Sequence, residues 1–174
     1  SDLVSDAAAA ARVEWREERD AAAYDAFVAF RRSRGFVDHL RECMARGDVV
    51  RVRSGEFAAV GAVVDLGTDL VAVRNDGAAR IDVRVDGGVP LAVEILARHA
   101  GAGRAGAGRG GGFAARLLEL EYSDAAVHVW VVGEREPLTG RIEIGSDVVV
   151  VNGPAASWVV PLWTGLAVQP ASTS

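Results

Sequence analysis

The chain has no lysine: all 19 of its basic residues are arginine. Beside the abundance of Ala, Gly and Val, this reads as the coding bias of a GC-rich genome rather than a demand for guanidinium chemistry. The single cysteine, Cys43, excludes an internal disulfide and fits a reducing compartment, so the expected location is cytoplasmic. No apolar run approaches the roughly 20 residues that span a bilayer and no secretory signal is visible, so no membrane partner is expected. The three histidines, His39, His99 and His128, are scattered along the chain, too few and too far apart in sequence to converge with one Cys on a metal. GxSxG, phosphate-loop and dinucleotide-binding patterns are missing as well. These gaps predict a protein that is not an enzyme, takes no cofactor and acts on no small-molecule substrate. The net charge of −5 is the wrong sign for a dedicated nucleic-acid binder.

What is present is a repeat. Val64 to Val73 (VDLGTDLVAV) recurs without a gap at Ile142 to Val151 (IEIGSDVVVV), and every pair is conservative. Gly55-Glu56 and Gly133-Glu134 keep the same spacing ahead of the two blocks. One small β-rich unit used twice is the simplest reading. Each unit alone would be marginally stable, so packing of one on the other or on another chain is expected.

Residues 5–34, rich in Ala, Arg and Glu and free of proline, read as a helix on which Trp15, Ala22, Ala26, Phe27 and Phe30 can share a face. Phe36, Val37, Leu40, Cys43 and Met44 mark a second helix, ended by Gly47. From Asp48 the apolar period changes to two. Val50 and Val52 alternate with Arg51 and Arg53, and Ile81, Val83 and Val85 alternate with Arg80, Asp82, Arg84 and Asp86. Val60–Val64, Leu70–Val73 and Val89–Leu96 complete five strands, with turns at Gly67-Thr68-Asp69, Asn75-Asp76-Gly77 and Asp86-Gly87-Gly88. Residues 99–112 (HAGAGRAGAGRGGG) carry no side chain that could anchor a core and read as a flexible linker. The plan then repeats: a short helix from Phe113, then strands around Val127–Val131, Arg141–Ile144, Val148–Val151, Ser157–Val160 and Leu166–Val168. The tail from Pro170 to Ser174 is expected to be disordered.

A short helix followed by five strands, with the second and third carrying Gly55, Gly61 and the Val64–Val73 block, or Gly133, Gly140 and the Ile142–Val151 block, resembles the Sm-like (LSm) small β-barrel. Other SH3-like barrels fit the same pattern. The layout is also similar to that of a group of proteins from high-GC actinobacteria, some of them labelled transcriptional regulators. The resemblance implies a mainly β fold with helices (α+β): two Sm-like/SH3-like five-stranded small β-barrels, each preceded by a short helix, plus an N-terminal helical arm. The corresponding parts are 1–35 (arm), 36–98 (first barrel), 99–112 (linker) and 113–170 (second barrel). The family's RNA-binding residues do not carry over. Asp69-Leu70 and Asp147-Val148 stand where its loop Asn belongs, and neither Asp86-Gly87-Gly88 nor Pro161 to Gly165 supplies its Arg-Gly pair.

Two sets of residues remain as candidates for RNA or partner binding. Arg31, Arg32 and Arg34, with Arg51 and Arg53, form the one dense basic cluster. Trp130, Trp158 and Trp163 offer flat aromatic faces suited to protein hot spots or to base stacking, with packing between barrels as the plainer use. Asp69 and Asp147 read as turn residues whose carboxylates bond to nearby backbone. The expectation is a non-enzymatic interaction or assembly module that meets itself or another protein through strand edges and the N-terminal helix. The alternative is an RNA-associated regulator using the arginines and tryptophans outside the usual Sm pocket.

Overall fold

The computed structural model describes residues 2–75, 79–86, 88–99 and 111–171. Most of the expected linker, the centre of the Asn75-Asp76-Gly77 turn, Gly87 and residues 172–174 lie outside them. The chain divides into two compact units, residues 1–39 and residues 40–174.

The first unit is dominated by α1 (Asp2–Ser33). From residue 12 on its side chains are exposed, apart from the half-buried Val28, and three arginines fold back over neighbouring rings: Arg19 over Trp15, Arg31 over Phe27, Arg34 over Phe30. Such stacking keeps the guanidinium in water while covering part of an aromatic face. The helix α2 (Phe36–Arg46) opens with the Gly35 N–H donating to the Asp38 carboxylate. It buries Leu40, Cys43 and Met44 and closes on Gly47, whose φ of 73° lets the Gly47 and Asp48 N–H groups reach back to Met44 and Cys43.

In the second unit five strands follow: β1 (Val49–Ser54), β2 (Phe57–Leu66), β3 (Leu70–Arg74), β4 (Ile81–Arg84) and β5 (Ala92–Ala97). Then come α3 (Phe113–Tyr122), β6 (Val127–Val131), β7 (Leu138–Ile144), β8 (Val148–Asn152), β9 (Ser157–Pro161), a 3-10 turn at Leu162–Thr164 and β10 (Gly165–Pro170). All the strands expected from the period-two pattern are present. Pro170 belongs to β10, and the Ala171 N–H bonds the Ala126 carbonyl, so the ordered chain reaches further than the expected disordered tail allows.

The fold is not two closed five-stranded barrels. The ten strands form one open antiparallel sheet in the order β5-β1-β2-β3-β4-β10-β6-β7-β8-β9. Each five-strand set places its last strand beside its first, yet neither closes on itself. The outer edge of β4 is taken by β10 of the other set, with Val83 opposite Ala167 and Asp82 opposite Val168. The cores explain why. Leu166 and Ala167 of β10 are buried with Leu40, Val50, Val52, Val71 and Val83, and Leu70 of β3 is buried with Phe113, Leu117, Val127 and Val149. A set this small buries too little by itself, and sharing residues across the seam makes up the deficit.

The glycines of the repeat bend the sheet. β2 pairs with β1 up to Ala62 and from there with β3, while β7 leaves β6 at Gly140 and takes up β8 at Arg141. A Cβ on Gly61 would collide with the Arg74 carbonyl, and one on Gly140 with that of Asn152. Only glycine lets the strand turn against its neighbour there.

Candidate functional site

The seam between β4 and β10 is held by charge as well as by strand pairing. Asp82 is wholly buried. Its Oδ1 accepts from Arg80 Nε (2.7 Å) and Nη2 (2.6 Å), and its Oδ2 from Arg116 Nε of α3 (2.8 Å). Arg80 reaches Asp65 at 3.0 Å and Arg116 reaches Glu119 at 2.9 Å, so the charges form a chain across three elements. Burial works against the charge on Arg116, but hydrogen bonds from its guanidinium to Asp82 and Glu119 outweigh it and hold the group above its usual range. Arg84 adds a bond to the Leu162 carbonyl at 3.0 Å, and Arg135 and Glu56 pair on the surface.

The Asp69 carboxylate reaches across the same seam. Both Gly-Thr/Ser-Asp segments close hairpins, through Gly67 N–H to the Leu70 carbonyl and Gly145 N–H to that of Val148. Asp69 Oδ1, however, accepts the Phe113 N–H at 2.6 Å, at the start of α3, whose N-cap residue Gly112 has no side chain to do so. A Cβ on Gly112 would stand 2.7 Å from that oxygen. The expected local bond of Asp69 is thus replaced by a long-range one.

Among the described residues, two strand edges stay open at the ends of the sheet. β5 pairs with β1 alone, Val52 opposite Val93 and Arg51 opposite Glu94, and Ile95 and Leu96 are exposed. β9 pairs with β8 alone, and Val159 is 73% exposed. Beside it lies a groove of about 510 Å³ whose lining includes Val131, Glu134, Leu138, Trp158, Val159 and Pro161. The two edges repeat the strands of the seam. Ile81-Asp82-Val83 lies against β3 as Trp158-Val159-Val160 lies against β8: Ala72 faces Asp82, and Val150 faces Val159. The bond from Val85 N–H to the Asp69 carbonyl is matched by one from Leu162 N–H to that of Asp147. On the other side, Leu91-Ala92-Val93-Glu94 matches Leu166-Ala167-Val168-Gln169, with Val93 facing Val52 as Val168 faces Val129. That second similarity lies in the sequence itself, but outside the ungapped block, since β5 and β10 are set at a different spacing.

The expected binding residues are distributed. Arg31, Arg32 and Arg34 belong to the first unit and Arg51 and Arg53 to the second. Arg51 is bound to Glu94 at 2.8 Å, and Arg53 points outward from β1. Trp130 is half-buried on the first core, edge-on to Phe57 with ring centroids 5.5 Å apart. Trp158 packs on the second core, while Trp163, 70% exposed, stands on the turn after β9. Trp158 and Trp163 are therefore neighbours of the open edge.

Among the described residues no group of three or more His, Cys, Asp or Glu side chains converges as a metal site would, and no helix is long and apolar enough to cross a membrane. No protein-family model matches the chain, and no curated protein matches it in sequence.

Proposed function

We propose that this chain is a non-enzymatic assembly module of the cytoplasm, which joins itself or another protein through strand edges. The observation that carries the reading is the strand order: five strands repeated, joined edge to edge at β4 and β10, with the equivalent edges β9 and β5 left open at the two ends. An open edge presents unpaired backbone N–H and C=O groups that pair readily with another strand. Both edges add exposed apolar side chains, Ile95 and Leu96 on β5 and Val159 on β9. In the first unit, α1 offers Trp15, Phe27 and Phe30 as a separate aromatic surface for a partner.

The RNA reading has less support. The net charge is −5 and Arg51 is engaged by Glu94. Light scattering on a sizing column over a concentration series tests the proposal: masses above that of one chain, or a protein partner held at β5 or β9, are expected. A single-chain mass throughout with no partner recovered would count against it. Salt-dependent binding of single-stranded RNA, measured by fluorescence anisotropy, would restore the alternative.

A further inference from the structure

We infer that α1 is a joint in its own right: it lies antiparallel against α1 of a second copy of this chain, with Trp15 of each helix over Phe30 of the other. The inference goes beyond the strand edges and does not depend on them. A helix in water is held mainly by burying an apolar face, yet from residue 12 to residue 33 only Val28 is even half-buried. Trp15 is 63% exposed and Phe30 62% exposed. At about 3.6 residues per turn, Trp15, Ala22, Ala26 and Phe30 fall in one stripe, with Ala23 and Phe27 along its border. The stripe is bulky towards its two ends and small between them. Turning it end for end about a point between Ala22 and Ala23 sets Trp15 against Phe30 twice, and the alanines let the backbones approach.

Charge decides what covers the stripe and in which direction. Residues 14–25 carry Glu14, Glu17, Glu18, Asp20 and Asp25 against Arg16 and Arg19, whereas the last turn carries Arg31 and Arg32. A parallel copy would set acid beside acid and arginine beside arginine. An antiparallel copy sets the acidic stretch against the arginine end, at both ends of the pair. Glu14 and Arg32 are about five helical turns apart and so share one side of the helix, where each meets the other across the joint. Arg19 and Arg31 already lie over Trp15 and Phe27, at 5.4 and 5.8 Å from the ring centroids. Their long stems cover the rims of the rings while the charged heads stay in water. The same acidic stretch repels a nucleic acid or an anionic bilayer, which the arginine end alone would attract. Because each helix offers the same surface to the other, the contact closes at two chains.

The test uses the full chain in analytical sedimentation over a concentration series. Wild type should pass from one chain to two, and Trp15→Ala combined with Phe30→Ala, both at exposed positions, should weaken that step roughly a hundredfold. Glu14→Arg alone and Arg32→Glu alone should each weaken it roughly threefold to thirtyfold. The two swaps together in one chain should return it to within about twofold of wild type. In a parallel pair neither single swap would change anything, since like would face like as before. A crosslink reads the direction. Arg12→Cys mixed with Ser33→Cys should join under a short bismaleimide, whereas Arg12→Cys alone should not, its two thiols standing roughly 30 Å apart in an antiparallel pair. Cys43, buried and common to all samples, sets the background through wild type. Efficient joining by Arg12→Cys alone shows parallel helices and overturns the arrangement. A two-chain species that survives Trp15→Ala with Phe30→Ala overturns the helix joint while leaving strand-edge assembly standing. A wild-type chain that stays single at every concentration overturns the second copy as the occupant of α1.

Discussion

Asp48 shows how one buried carboxylate fastens several pieces of backbone. It follows the C-terminal glycine of α2, accepts two bonds from Arg46 at 3.0 and 2.7 Å and another from the His99 N–H at 2.9 Å. The Arg46 hydrogen bonds, chiefly, hold its carboxyl below the usual carboxylate range, against the effect of burial. A carboxyl with a lowered folded pKa stabilises the fold above its unfolded value and loses that contribution as pH falls through the folded value. Asp48→Asn should therefore lower the urea midpoint at pH 7, and the gap from wild type should shrink as unfolding is repeated below about pH 4. Cys43, beside it, moves the other way: burial first, then the Asp48 charge, pushes its thiol up. Since the thiolate is the reactive form, the folded protein should resist a thiol reagent at pH 8 and release the full thiol signal only on unfolding. Rapid labelling of the folded chain would show that α2 opens readily over the core.

Elements were legible where a side-chain period carried the information, and illegible where a neighbour from far along the chain decided the outcome. The alternation Val50, Val52 against Arg51, Arg53 gave β1 its inside and outside, and of the Phe36–Met44 stripe Leu40, Cys43 and Met44 are buried in α2 while Phe36 stays exposed. In β4 the same reasoning put Asp82 on the outer, polar face. It is wholly buried because α3 brings Arg116 over that face, a contact no local pattern announces. The run ending at Gly111-Gly112 read as linker, yet its last glycines pack on the Gly67–Asp69 turn and hand the start of α3 to Asp69. Two substitutions separate these contributions. Asp69→Ala removes a cap supplied from another element and should cost about 1 kcal/mol in chemical denaturation. Asp82→Ala leaves Arg80 and Arg116 without their shared carboxylate and should cost about 3–5 kcal/mol. If Asp82→Ala proved as mild as Asp69→Ala, the charge chain would be incidental and strand pairing alone would hold the seam.

At the scale of the whole molecule, the doubled sequence lies within one compact unit, residues 40–174, and the reason lies in how the cores are divided. The first core is completed by Leu166 and Ala167 and covered by Trp130, all from the later strands; the second takes in Leu70 from the earlier ones. Burying a Leu side chain contributes roughly 2 kcal/mol, and a separated half would lose that while exposing the edge of β4 or β10. For a segment of such size this is most of what stands between folded and unfolded. Residues 36–98 and 111–174, produced separately, should accordingly show no cooperative thermal transition by circular dichroism, while the intact chain unfolds in one step. Mixing the two segments should restore a transition, because β10 can still find β4 and Phe113 can still find Asp69 without a covalent link. The contrary result, two halves that melt cooperatively alone, would mean that each set of strands can close over its own core, and that the seam between β4 and β10 is a docking contact between domains rather than the place where one fold is completed.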